Sequence, residues 1–286
     1  MVSWLKNFIK SRFYILKVRN RFNASTQIAL RSIYHQYREM AKNKEVPPLR
    51  ETGFRVFSQF EEDGLLLFIF AMIGTASERF IEIGANDGIN SNCANLAINF
   101  GWHGLFVDAD KQAIKRGMRF YQKYPDPYHY PPKFVCASVS RESINGILKD
   151  AGFEGSIDLL SIDIDGNDYW IWDAITVVQP RVVIIETHVE FGLNNVVVPY
   201  DPDYVYPGKH PDYHGASPVA MVKLGKKKGY RLVGANRLGH NHIFVRDELT
   251  GDLLPEVETK CLLQHPSTIE SFKKFDSIRD WEYMRP

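Results

Sequence analysis

A chain of 286 residues with 44% hydrophobic and 13% aromatic content is long enough for one α/β domain of ordinary size plus appendages. Its net charge of +1 favours no particular partner. Cys93, Cys136 and Cys261 are scattered and odd in number, which excludes a disulfide framework and paired metal-ligand spacing and points to a reducing, cytoplasmic compartment.

Charge is unevenly placed along the chain. Up to Arg50 the basic residues, among them Lys6, Lys10, Arg12, Lys17, Arg19, Arg21, Arg31 and Arg38, face only Glu39 and Glu45. Such a segment can meet a membrane surface, nucleic acid or an acidic partner, and it equally describes a solvated helical extension. Trp4, Leu5, Phe8 and Ile9 are interrupted by Lys6 and Lys10, so no signal peptide is expected. The run from Leu65 to Ile73 is too short to span a bilayer. Three parts follow: a basic helical extension over 1–50, a main domain over 51–250 and a tail over 251–286.

From Trp4 to Ala41 the pattern is helical, and Pro47-Pro48 breaks it. Ser58-Gln-Phe-Glu61 fits a capping box ahead of an apolar helix that stops at Gly74. Short apolar runs at Arg79–Ile83, Gly104–Asp108, Phe134–Ser138, Ile157–Asp163 and Arg181–Glu186 then read as strands. Helical patterns lie between them at about Ser91–Phe100, Lys111–Tyr121, Arg141–Lys149 and Tyr169–Ile175. This alternation predicts a parallel sheet covered on both faces. Ser217-Pro218 opens a last helix, closed by Gly229. Tyr230–Gly234 and His242–Arg246 lie too close together for a crossover, so they must be antiparallel. The expected fold is therefore α/β, a Rossmann-like doubly wound sheet of seven strands, mostly parallel with a terminal antiparallel strand, preceded by the helical extension. The tail has no clear pattern and can cap the sheet edge or join a homodimer.

Directly after the first strand comes Glu82-Ile-Gly84-Ala-Asn86-Asp87-Gly88. Glycines there let the backbone turn sharply and approach a ligand. The dinucleotide fingerprint G-x-G-x-x-G is not met, because Asn86 stands in place of its middle glycine. Asp108 ends the second strand, where a carboxylate can accept two ribose hydroxyls, although Asp108 or Asp110 can instead cap the next helix. Ala137 and Ser138 end the third strand, near an adenine position.

Together with Val107-Asp108-Ala-Asp110 and Asp158-Leu-Leu-Ser-Ile-Asp163-Ile-Asp165-Gly166, this loop resembles the FkbM-like branch of class I S-adenosylmethionine (SAM) dependent methyltransferases. Phe57-Ser-Gln59-Phe-Glu-Glu62-Asp63-Gly64 looks like that group's entrance helix, and Tyr213-His214-Gly-Ala-Ser217 and Lys228-Gly229-Tyr230 like its later landmarks. The resemblance covers about Phe54 to Arg246. It implies the methyltransferase strand order, SAM as methyl donor, and O-methylation of a sugar, glycan or secondary-metabolite hydroxyl. Where the family usually has glutamate-glycine after the fourth strand, this chain has Asp165-Gly166. On this reading Glu82, Gly84, Asn86, Asp87, Gly88, Asp108 and Ser138 hold the donor.

Asp163 and Asp165 end the fourth strand, and Glu186 and His188 end the fifth, both at the spacing that points side chains the same way in an extended chain. Three readings stay open. The four groups hold magnesium or manganese, which would lower the acceptor hydroxyl's pKa. Alternatively Asp163 or His188, beside Glu186, acts as a metal-free general base. In the third, Asp163 caps a helix and His188 bonds the backbone. The loop from Val189 to Gly215, with Tyr200, Tyr204, Tyr206, His210, Tyr213 and His214, suits a lid over a small-molecule or glycan acceptor. Trp170 and Trp172 line the same cleft or pack in the core.

The rivals are a nicotinamide-dependent oxidoreductase, a non-catalytic SAM-binding module attached through residues 1–50, and a nucleic-acid methyltransferase. Asp163-Ile-Asp165-Gly166 in place of an N/D-P-P-Y-type motif leaves nucleic acid unexpected as a partner.

Overall fold

A computed structural model describes residues 24–124, 127 and 129–286; the helical pattern expected over residues 4–23 lies outside the described residues. Seven strands form one sheet: β1 (Arg79–Ile83), β2 (His103–Asp108), β3 (Lys133–Cys136), β4 (Gly155–Ile162), β5 (Val178–Glu186), β6 (Tyr230–Ala235) and β7 (Asn241–Arg246). Their spatial order is β3-β2-β1-β4-β5-β7-β6, the strand order expected for a methyltransferase. Pairings are parallel from β3 through β5, while β7 runs antiparallel to both β5 and β6. The chain winds outward from β1 to β3 and returns to place β4 beside β1. That reversal leaves a crevice at the carboxyl ends of β1 and β4, where ligands bind in open α/β sheets.

Helices α1 (Ala24–Asn43), α2 (Glu62–Ile73), α3 (Ala94–Asn99), α4 (Lys111–Tyr121), α5 (Ile144–Asp150), α6 (Asp168–Ala174) and α7 (Pro218–Lys227) follow in chain order. Strand alternation divides the core between the two faces. Ile81, Val107, Leu160 and Val183 pack with Leu148, Trp172 and Leu224 from α5, α6 and α7. Phe80, Phe106, Leu159 and Ile184 pack with Leu66, Ala97 and Phe120 from α2, α3 and α4. Emptying such sites, as in Leu160→Ala, costs about 2–5 kcal/mol. Trp172 is core, as expected of at least one of the tryptophans; its ring meets Phe244 at 5.1 Å.

Helix α2 is apolar on nearly every side because it is sandwiched between the sheet and α1. Tyr37 of α1 meets Phe68 edge-on at 5.0 Å, and the Arg38 guanidinium donates to the Ala71 carbonyl at 3.4 Å. Part of the basic extension is therefore a packed layer of the domain. The capping box expected at Ser58–Glu61 does not form: Glu61 occupies the N-cap position without a side-chain bond to the helix's own N–H groups. Asp63 replaces it, its Oδ2 accepting from the N–H groups of Val56, Phe57 and Ser58 at 2.6–2.8 Å. At the other end Gly74 terminates α2 with φ 69°, as expected. Ser217 caps α7 by accepting from Ala220 N–H at 3.1 Å.

The tail folds back onto the loop after β5. Phe275 and Ile278 bury against Phe191, and Val197 N–H donates to the Met284 carbonyl at 2.9 Å. Among the described residues, no helix is long and apolar enough to cross a membrane.

Candidate functional site

A cavity of about 370 Å³ opens at the β1/β4 crevice, lined by Gly84, Asn86, Asp108, Ser138, Asp163 and Tyr204 among others. Its floor is the loop after β1. The N–H groups of Gly84 and Ala85 both donate to the Val107 carbonyl, at 2.9 and 3.1 Å, strapping the loop to β2. Gly84 has φ 82°, and a Cβ there would fall 1.6 Å from the Asp163 carbonyl oxygen. Glycine is thus required by the close approach of β4. At Gly88, with φ 65°, a Cβ would press on the Phe106 ring at 3.0 Å. Asn86 adopts φ 50°, a left-handed geometry that asparagine tolerates, so the missing middle glycine is not needed for the turn.

Asp108 sits at the cavity rim. Its Oδ2 accepts from Asn86 N–H at 2.6 Å and its Oδ1 from Asp110 N–H at 2.7 Å. A carboxylate offers about four lone-pair sites, so roughly two remain for a ligand. Asp110 is the residue that caps α4, accepting from Gln112 N–H at 2.7 Å. The helix-capping role that the sequence left open between the two aspartates therefore falls to Asp110.

Three residues expected at the donor site do not line the cavity. Glu82 shares the Phe80 face of β1 by strand alternation, so it points at α3 and is buried there. Its carboxylate accepts from the Ser91 hydroxyl and from the N–H groups of Asn92 and Cys93, both at 3.1 Å. Burial pushes its pKa up against the pull of those bonds. Asp87 accepts from Ile89 N–H at 3.2 Å and pairs with Arg116 at 3.5 Å. Gly88 packs on Phe106. All three shape the loop from behind.

On the β4 side, Asp163 N–H extends the ladder by donating to the Ile83 carbonyl at 3.0 Å. The chain then turns because Asp168 accepts from Ile164 and Gly166 N–H at 2.8 and 3.0 Å, leaving Asp165 left-handed at φ 55°. Asp163, Asp165 and Glu186 offer oxygens that all lie within 4.8 Å of one another. Burial first, then the charges of Asp168 and Asp165, raise Asp163 to about 8. Burial, then Asp163 and Asp168, push Glu186 well above the usual carboxylate range. Glu186 Oε2 is buried without a hydrogen-bond partner.

His188 does not join this cluster, which corrects its expected place among the metal ligands. Strand β5 ends at Glu186, and Thr187 and His188 donate their N–H groups to the His240 and Ala216 carbonyls. The period-two rule therefore stops one residue too early to carry His188 with Glu186. Its ring packs edge-on against His214 at 3.7 Å, and Nδ1 lies 3.4 Å from Glu190 Oε2. Burial acts to raise Glu190, yet His188 and Lys274 outweigh it and hold that carboxyl down to about 2. Burial lowers His214 to about 3, so it stays neutral. His188 Nε2 has no hydrogen-bond partner, nor has His214 Nδ1.

The long loop covers this region. Tyr204 lies over Gly166, where a Cβ would come within 2.4 Å of its ring, and its buried hydroxyl has no partner. Trp170 anchors the loop by donating Nε1–H to the Val198 carbonyl at 3.0 Å. The lid is fastened further by the tail, whose Glu282 carbonyl accepts the Tyr213 hydroxyl. Asp168 and Glu190 escaped the sequence reading. An aspartate two residues after a glycine at a strand end was the available sign of the first; the second had none.

No family model and no curated protein sequence matches the chain. Among solved structures it is similar to magnesium protoporphyrin IX methyltransferase from Synechocystis PCC 6803 with bound SAM, at 12% identity and a TM-score of 0.41, over 65% of this chain and 78% of that one. It is also similar to an S-adenosylmethionine-dependent methyltransferase from Clostridium acetobutylicum ATCC 824, at 10% identity and a TM-score of 0.40, over 78% and 99% of the two chains. Likeness at this level leaves the chemistry to be read from this chain's own residues.

Proposed function

We propose that the chain transfers a methyl group from SAM to a hydroxyl oxygen of a sugar, glycan or small metabolite. The observation that carries this reading is Asp108, which is locked by two backbone N–H groups at the rim of the crevice with acceptor capacity left for a ribose diol. The resemblance of the sequences after β1 and β4 to the FkbM-like branch supports it. A dinucleotide is disfavoured because the glycine that would admit a pyrophosphate is Asn86, whose side chain accepts from Arg116 at 3.3 Å.

When bound, the donor supplies a methyl carbon on a sulfonium, electrophilic enough that the protein's tasks are alignment and one proton. The Gly84–Asn86 backbone and Asp108 hold the nucleoside, with Ser138 beside it. Asp163 reaches both the cavity and the acidic cluster. Raised to about 8, its carboxylate is a stronger base than an ordinary aspartate and is matched to a pH near neutrality. Tyr204 covers the junction and excludes water.

The cluster also fits a divalent cation. Three carboxylate oxygens converge and Glu186 Oε2 lacks a partner, a donor set that suits magnesium or manganese, which would acidify the hydroxyl. Asp163, Asp165 and Glu186 would hold it.

The test is transfer of labelled methyl from SAM to a panel of sugars and metabolites. Asp163→Asn is expected to lower the rate by about 100-fold or more while leaving SAM affinity unchanged. Full activity in that variant removes Asp163 from proton transfer.

A further inference from the structure

A second cavity, about 780 Å³, shares no lining residue with the donor cavity. Three separate segments build it: the linker before α2, the turn between β6 and β7, and the C-terminal segment around Gln264. Arg50 and Arg55 come from the first and Arg237 from the second. All three are exposed, and none of their guanidinium groups has an ion-pair or hydrogen-bond partner among the described residues, whereas Arg181, Arg231 and Arg246 are each paired with a carboxylate. Glu51 and Glu61 share the wall, and the Glu61 carboxylate accepts from Arg237 N–H. Three guanidiniums against two carboxylates leave the wall net positive.

The cavity lies at the same end of the sheet as the acidic cluster. Strand β6 runs parallel to β5, so the turn carrying Arg237 lies at the same end of the sheet as Asp163 and Glu186. Asn241 stands opposite Glu186 in the β5/β7 register. Its Nδ2 donates to Glu62 Oε1 at 2.9 Å, and Asn236 Nδ2 donates to the same oxygen at 2.8 Å. Asn236 lines the arginine cavity. One buried Asn–Glu–Asn bridge thus separates the acidic cluster from the three arginines. Phe60, stacked near His240 at 6.5 Å, walls the same side.

We propose that this cavity binds a phosphate ester or diphosphate at a site of its own, walled off from the acidic cluster. Guanidinium forks match phosphate oxygens in pairs, and a group carrying close to two negative charges answers several cations where a single carboxylate answers one.

The experiment is calorimetry on the full chain with inorganic pyrophosphate and with glucose 1-phosphate, each with and without SAM. Wild type is expected to bind at least one of them, and the triple variant R50Q/R55Q/R237Q to bind about tenfold or more weakly. Binding of glucose 1-phosphate assigns the site to phosphomonoesters, and binding of pyrophosphate alone assigns it to diphosphates. SAM affinity is expected to be equal in both proteins and unaffected by the anion. A second readout uses the exposed Cys261 thiol on the cavity wall: the bound anion is expected to slow its alkylation and not that of exposed Cys136. No binding of either probe, equal binding by the triple variant, unslowed Cys261, or competition between anion and SAM each overturns the proposal. Failure of SAM alone to bind would sink the methyl-transfer reading and leave the anion site standing.

Discussion

Over β1 and β2, the polar side chains at the sheet's carboxyl end are bonded to the protein itself: Glu82, Asp87, Asp108 and Asp110 each accept backbone N–H groups. Over β4 and β5, Glu186 Oε2, His188 Nε2, His214 Nδ1 and the Tyr204 hydroxyl are buried with no hydrogen-bond partner. A buried polar group left unpaired costs about 1–3 kcal/mol, so native structures keep few of them without a reason. The β1–β2 half holds its shape unaided. The β4–β5 half carries unsatisfied groups that, on the proposed function, a substrate or a cation would complete.

The contrast is broken most severely at Gly84. In Gly84→Ala a methyl group would collide with the Asp163 carbonyl at a residue held at φ 82°, and a loss above about 4 kcal/mol is expected, a large share of a domain's stability. Urea denaturation checks this, and a variant that melts with wild type would show that the loop can move away from β4. Glu82→Gln should have an intermediate effect. Weakening the acceptor that holds Ser91, Asn92 and Cys93 is expected to cost about 1–3 kcal/mol, with SAM affinity unchanged in the folded fraction. Lost affinity at unchanged stability would return Glu82 to the donor site.

The smallest effect sharpens the other half. Asp163 is raised from an ordinary value of 3.8 to about 8, so folding tightens its hold on a proton. The stability this brings is complete below about pH 4 and is lost as pH rises through 8. Wild-type Tm is therefore expected to fall between pH 7 and pH 9 more than that of Asp163→Asn, with magnesium or manganese reversing the difference. Parallel pH profiles would mean that the carboxyl titrates normally.

The strands were legible because each is an apolar run bounded by turn residues; their order was implied by the resemblance to class I methyltransferases, and the crevice follows from that order. The loop glycines were legible as glycines but not in their purpose: close approach of Asp163 to Gly84 and of Phe106 to Gly88 depends on neighbours distant in sequence. Glu82 was misplaced although alternation from Phe80 already put it on the α3 face. His188 was misplaced because period two was extended past the end of β5. The arginine cavity was invisible, since Arg50, Arg237 and Cys261 meet only through the fold.

The donor site is tested most directly by titrating SAM and NAD into wild type and Asp108→Asn by calorimetry. Wild type is expected to bind SAM and not NAD, and Asp108→Asn, which keeps the side-chain shape and removes the charge, to bind SAM about tenfold more weakly or worse. Binding of NAD in place of SAM, or equal SAM affinity in the two proteins, would contradict the assignment of the crevice.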